Sequence, residues 1–148
     1  MLEELYREYL KELESYSTRP FSEDTCKNAL TYYRVYGDHH RIEYIFDDNK
    51  LVGFFITGWG NACHPNCDYY ICQSYITPSH RNRGLMSKAF NEWIHEHSGT
   101  YCLDVLFNNY PARDFWLRKF RQAGYKEIHL QDYKHELSDI CDTLYFTK

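Results

Sequence analysis

The chain has 148 residues, the size of one ordinary globular domain, and can bury a core without disulfides or a structural metal. Its hydrophobic residues (43%) and charged residues (26%) argue against disordered, collagen-like and membrane-embedded classes, and 15 Tyr with 9 Phe suit an aromatic core or pocket. A net charge of -4, with Lys and Arg scattered rather than gathered in a stripe, argues against a nucleic-acid partner.

Leu2, Leu5, Tyr6, Tyr9 and Leu13 recur at helical spacing in a charged segment, which predicts an amphipathic helix to about Tyr16. Arg19-Pro20 interrupts it. Ser22 is a candidate cap for a second helix, with Glu23 and Asp24 near its positive end and Cys26, Ala29, Leu30 and Tyr33 on one face, stopping near Gly37. Residues 41–46 alternate polar and apolar, Asp47-Asp48-Asn49-Lys50 is turn chemistry, and residues 51–57 are apolar and aromatic, so this stretch predicts a β-hairpin. Residues 58–66 carry Gly, Asn, His and Pro without periodicity and are expected to be a loop, followed by a strand over 69–77. Leu85, Met86, Ala89, Phe90, Trp93, Ile94 and His97 form the clearest amphipathic pattern, a helix stopped by Ser98-Gly99. An apolar strand is expected over 101–107. Pro111 suits a first helical position, and Phe115, Trp116 and Phe120 mark a helix up to Gly124. Short strands are expected over 126–130 and 143–147. This order predicts an α/β chain of the α+β type, with a mixed sheet flanked by helices in a single domain over 1–148.

No apolar run approaches the roughly 20 residues of a membrane-spanning helix, and Met1-Leu2-Glu3-Glu4-Leu5 has neither the basic end nor the apolar stretch of a secretion signal. A cytoplasmic location with no membrane partner is therefore expected, with the Cys residues as reduced thiols. Cys63, His64, Cys67 and Cys72 are chemically suited to zinc, but no second Cys pair follows at the usual spacing, so no metal site is expected. His39-His40 reads as a helix-to-strand connection.

The stretch Ser74-Tyr75-Ile76-Thr77-Pro78-Ser79-His80-Arg81-Asn82-Arg83-Gly84-Leu85-Met86-Ser87 runs from a strand through a basic turn into the best helix. The first N–H groups of a helix lack internal partners and sit at the positive end of its dipole, so such a turn suits an anion. Gly84 permits close backbone approach, and Arg81 and Arg83 add charge of the kind a pyrophosphate requires. At these residues the sequence resembles the GNAT superfamily of N-acetyltransferases, whose signature is Gln or Arg, two residues, Gly, one residue, then Gly or Ala. Arg81-Asn82-Arg83-Gly84-Leu85-Met86 matches the first two fixed positions and carries Met86 at the third. Downstream, Asn109-Tyr110-Pro111-Ala112-Arg113-Asp114-Phe115-Trp116 looks like the family's pattern of Asn, two residues, Ala, three residues, aromatic. Gly124-Tyr125 resembles the family's Gly-aromatic pair but comes about one helical turn later than usual.

The resemblance covers residues 51 to about 130. It implies a mixed, mostly antiparallel sheet in which strand 69–77 splays from strand 101–107 to admit the pantetheine arm of acetyl-coenzyme A. The implied coenzyme site comprises Ile76 through its main chain, Arg81, Asn82, Arg83, Gly84, Leu85, Met86 and Asn109. The implied reaction is acetyl transfer to an amine of a small molecule or peptide. Acidic and Tyr-rich walls expected from the first helices and the loop before Tyr69 favour a cationic acceptor. The family's usual acid is a Tyr on the last helix, whereas Trp116 and Phe120, the aligned positions, carry no hydroxyl. Tyr110 is the candidate acid, with Tyr125 or water as alternatives. Asp68 is the candidate base, with a water held by Gln73 and Tyr75 as the alternative. Two other readings are a coenzyme A or acyl-coenzyme A sensor without turnover, and an interaction domain that binds neither. A homodimer is compatible with each.

Overall fold

Apolar residues at helical spacing form α1 (Leu2–Glu14) and α2 (Glu23–Val35) in the computed structural model, which describes residues 2–18, 20–21, 23–59, 66–129 and 140–148. A short 3-10 turn over Gly37–His39 leads into β1 (His40–Asp47), which returns as β2 (Lys50–Trp59). The two residues between them, Asp48 and Asn49, have φ of 49° and 65°, as a tight hairpin turn of the mirror-image type requires. Because that turn is so short, both strands run longer than the alternation of residue types predicts. β3 (Tyr69–Ile76), α3 (Leu85–Glu96), β4 (Tyr101–Leu106), α4 (Tyr110–Gln122), β5 (Lys126–Ile128) and β6 (Cys141–Thr147) complete the described elements. The candidate cap Ser22, most of the expected loop after β2 with Cys63 and His64, and Leu130 at the end of the expected strand lie outside the described residues.

The sheet has 6 strands in the order β1-β2-β3-β4-β6-β5. β3 and β4 are parallel, and the other neighbours are antiparallel. The predicted fold class is the observed one. β2 lies near the middle of two cores, which is why its sequence reads as an unbroken apolar run rather than an alternation. Phe55 packs towards α3 and α4 with Phe90, Trp93, Trp116 and Phe120, while Phe54 and Ile56 pack towards α1 and α2 with Tyr6, Tyr9 and Tyr33. Burying a side chain such as Phe54 or Phe55 contributes roughly 1.5–3 kcal/mol.

Two details of register position everything that follows. Opposite β2, Ile56 pairs with Gln73 and the next residue, Thr57, pairs with Ile71, so β3 fits three residues against two. That is a β-bulge, which bends a strand and increases its twist. Opposite β4, pairing covers Tyr69 with Tyr101, Tyr70 with Cys102 and Ile71 with Leu103, and stops there. β3 and β4 therefore part at the bulge, and the splay implied by the resemblance is present.

One expectation is corrected. Cys67 and Cys102 form a disulfide with a Cα–Cα separation of 6.0 Å, so these two are not reduced thiols. They lie 35 residues apart in sequence, and the parallel pairing at the start of β3 and β4 brings them together.

The approach of β2 to β3 depends on Gly53, where an added Cβ would collide with the Tyr75 carbonyl oxygen and stand 2.7 Å from Ile76 Cδ1. Gly53→Ala is expected to lower unfolding stability by about 1–3 kcal/mol in urea denaturation. An unchanged midpoint would contradict this close approach.

Candidate active site

Beyond the bulge, the end of β3 borders a cleft of about 630 Å³. It is bordered by Ser74, Tyr75 and Ile76 of β3, by the turn that opens α3, by the start of α4, and by Tyr9, Glu12 and Tyr16 of the α1 region. The chain leaves β3 through Thr77, whose N–H donates to Val52 O at 2.8 Å, and passes a 3-10 turn over Pro78–His80. Asn82 (φ 63°) and Gly84 (φ 75°) then take left-handed backbone, which reverses the chain into α3. Gly84 occupies the cap position, where it supplies no side-chain oxygen, so the first N–H groups of α3 border the cleft without a side-chain cap.

The two arginines of this turn do something other than present loose charge. Arg81 makes a two-pronged ion pair with Glu12, both contacts at 2.7 Å, and its Nε donates to Ile76 O at 2.8 Å. Its guanidinium also lies 5.5 Å from the Tyr75 ring centre. Arg83 donates to Asp47 Oδ2 at 2.8 Å. Each arginine thus ties the turn to another element, Arg81 to α1 and Arg83 to the end of β1. Both pairs are partly exposed, so each contributes at most about 1 kcal/mol, and their effect is chiefly geometric. Arg118 also borders the cleft. Asn109 caps α4, its Oδ1 accepting from Ala112 N at 3.3 Å.

A second cavity of about 530 Å³ opens on the α1 and α2 side. Tyr9, Leu13, Ser74, Asn109, Ala112 and Trp116 border both cavities, so the two meet where β3 and β4 part. Trp116 stacks on Phe55 at that junction, whereas Phe120 lies in the core, stacked on Phe146 with ring centres 4.0 Å apart. Of the two aligned aromatic positions, Trp116 is the one at the site. The Tyr9 hydroxyl donates to Gln73 Oε1, and burial pushes the Tyr9 phenol well above its ordinary pKa. In the second cavity Asp104 accepts from Tyr70 Oη at 2.6 Å and from Thr143 Oγ1 at 2.5 Å. Burial, and next the Asp104 charge, push the Tyr70 phenol well above the usual range.

Ile76, Arg81, Asn82, Gly84, Leu85, Met86 and Asn109 all border the first cleft, while Arg83 stands beside it through Asp47. The two candidate proton carriers are elsewhere. Tyr110 is 62% exposed and borders neither cavity. Asp68 precedes β3 at its other end, where its Oδ2 accepts from Thr100 N at 2.9 Å, roughly 20 Å along the strand from Ser74. Neither is among the residues that border the two cavities. Tyr125, the alternative acid, is buried against Tyr101 and Phe120. Sequence reasoning missed Tyr9, Glu12, Ser74 and Asp104. For Asp104 a signal existed, since it is the lone charge in an apolar strand; Tyr9 and Glu12 reach the site only through the packing of α1.

Comparison with known proteins fits this geometry. The model of the acetyltransferase (GNAT) family matches residues 2–121, and the chain belongs to that family. Similar solved structures include an acetyltransferase from Thermus thermophilus, with TM-score 0.66 and 15% identity, covering 97% of this chain and 88% of that one. An N-acetyltransferase from Staphylococcus aureus has TM-score 0.60 and 15% identity, with 98% and 92% covered. The PaiA N-acetyltransferase of Thermoplasma acidophilum, solved in complex with coenzyme A, has TM-score 0.56 and 15% identity, with 99% and 90% covered. At these identities the likeness is one of fold. No curated protein sequence matches the chain.

Since Gly84 has left-handed backbone and open space around it, Gly84→Ala isolates the conformational cost of the turn. A loss of about 1–2 kcal/mol is expected in urea denaturation, and an unaltered stability would contradict the assigned backbone.

Proposed function

We propose that the chain transfers an acetyl group from acetyl-coenzyme A to the amine of a small molecule or peptide. The observation that carries this reading is the parting of β3 from β4 after Ile71 and Leu103, which leaves the inner edge of residues 73–76 without strand pairing on that side. A sheet edge facing an internal cleft needs partners for its N–H and C=O groups, and an extended, amide-bearing pantetheine arm supplies them as an added strand would. The cleft of about 630 Å³ is of the size that takes a cofactor arm.

In this reading the main chain of Ile76 holds the arm, with Asn109 flanking it. The backbone of Asn82, Arg83, Gly84, Leu85 and Met86 receives the pyrophosphate. Arg81 and Arg83 hold that backbone in shape through Glu12 and Asp47. Bound acetyl-coenzyme A supplies a thioester: the amine nitrogen forms a bond to its carbonyl carbon, the C–S bond breaks, the amine gives up a proton and the thiolate takes one. Tyr9, kept protonated by burial, holds a proton at the junction of the cavities. Trp116 walls that junction and shapes it without titrating. Tyr110 and Asp68 have no part in this reading.

Trp116 also favours a second reading, a coenzyme sensor without turnover, because no hydroxyl stands at that helix position. Thermal unfolding with acetyl-coenzyme A, paired with thiol release over an amine panel, separates the readings. A ligand at about 100 times its dissociation constant stabilises the folded state by about 2.7 kcal/mol, so a raised midpoint with thiol release is expected. A raised midpoint without release on any amine would favour the sensor, and no shift at saturation would contradict both. Tyr9→Phe is expected to lower kcat by about 100-fold while leaving the coenzyme-induced shift intact. An unchanged kcat would remove Tyr9 from the proton path.

A further inference from the structure

We propose that Gln73 is a positioning residue for acetyl transfer: the bulge in β3 carries its side chain to the α1 and α2 side of the sheet, where its amide holds the Tyr9 hydroxyl hydrogen until the thiolate forms. This rests on the acetyl-transfer reading with Tyr9 as proton carrier, and adds to it the group that controls that proton.

The bulge decides which face Gln73 occupies. Side chains two apart on a strand share a face, so regular alternation would put residue 73 beside Tyr69 and Ile71. Those two pack into the core on the α3 and α4 side. Gln73 instead pairs with Ile56, and directly opposed side chains of an antiparallel pair share a face. Ile56 packs with Tyr6, Tyr9 and Tyr33 of α1 and α2. The extra residue of β3 therefore turns Gln73, and Tyr75 two residues on, towards those helices. There Gln73 borders the second cavity, next in sequence to Ser74, which borders both.

The Tyr9 ring is held by other rings. Its centre lies 5.5 Å from those of Tyr6 and Phe54 and 5.7 Å from that of Tyr75. Such packing fixes a ring but not its hydroxyl hydrogen, which turns to meet an acceptor. Gln73 Oε1 is that acceptor. The amide is itself held, being hydrogen-bonded to the Tyr33 hydroxyl of α2, and Tyr33 is hydrogen-bonded to Tyr6. One amide thus joins α1, α2 and β3 at the proton carrier.

This contact does two things for the reaction. A carbonyl oxygen accepts from a phenol and offers nothing to a phenolate, so the proton stays on Tyr9. A hydroxyl without that acceptor would donate to the lone pair of the attacking amine, and an amine so capped cannot attack the thioester. As the C–S bond breaks, the nascent thiolate is an ionised and stronger acceptor than an amide. The Tyr9 O–H bond then breaks, an S–H bond forms, and the proton given up by the amine restores the phenol.

A double-mutant cycle tests the assignment, with thiol release from acetyl-coenzyme A measured on the best-used amine among 2-phenylethylamine, spermidine, lysine and a lysine-containing tripeptide. Gln73→Leu is expected to lower kcat about 10-fold, with the KM for acetyl-coenzyme A and the coenzyme-induced thermal shift unchanged. Added to Tyr9→Phe, which has no hydroxyl to hold, it is expected to change kcat by less than about twofold. Tyr33→Phe, which removes the group that holds the amide, is expected to lower kcat about threefold and to be equally silent beside Tyr9→Phe. It serves if the Gln73 variant fails to fold. A merely structural role would lower kcat in both backgrounds. An unchanged kcat in Gln73→Leu, or a loss of the same size beside Tyr9→Phe, would overturn this proposal alone. An unchanged kcat in Tyr9→Phe would instead remove Tyr9 from the proton path, and no release with any of these amines would count against the transfer reading; the proposal falls with either.

Discussion

Three residues of β3 lie opposite two of β2, and the architecture of the site follows from that mismatch. A bulge bends its strand, and here the bend occurs where parallel pairing with β4 ends. A six-stranded sheet that would otherwise be continuous is opened along its middle. Backbone groups that would have formed a ladder instead face a cleft, and helices and sheet come to line two adjacent cavities that share bordering residues. The opening is tolerated because each half of the sheet remains anchored: β3 stays paired with β2 up to Ile76, and β4 stays paired with β6 over its whole length.

Around that gap, remote parts of the chain are fastened to one another. Glu12 of α1 grips Arg81, Arg81 grips the end of β3, and Arg83 grips the end of β1, so the turn before α3 is braced on three elements. Individually these contacts are weak, being partly exposed, but they share one task, holding two left-handed residues in a fixed loop. The same helix α1 carries Tyr9 and Leu13 to the junction of the cavities. A movement of α1 would therefore disturb the turn and the junction together, although the two are far apart in sequence.

Most of the architecture was legible in the sequence because local periodicity reports it: Leu85 to Glu96 shows one apolar face, and Asp48-Asn49 marks the hairpin turn. The Arg81 and Asn109 patterns, far apart in sequence, turn out to border one cleft. What escaped was everything set by pairing across distance. The bulge lies within a run of apolar and polar residues that gives no sign of an extra one, and the disulfide joins positions whose proximity depends on parallel register. The arginines looked like free charge because their carboxylate partners, Glu12 and Asp47, sit on other elements. Tyr110 and Asp68 drew attention by their chemistry and their neighbourhood in sequence. The first faces outward from the start of α4, and the second sits at the end of β3 remote from the gap.

In the proposed function, the parted edge of β3 and the turn after it form one coenzyme site. Amide hydrogen exchange with and without acetyl-coenzyme A tests it most directly, because it reports on backbone N–H groups individually. Added protection is expected at residues 73–76 and 82–86 together, with little change along the β1–β2 hairpin. Binding that slows exchange elsewhere and leaves both segments unaltered would contradict it.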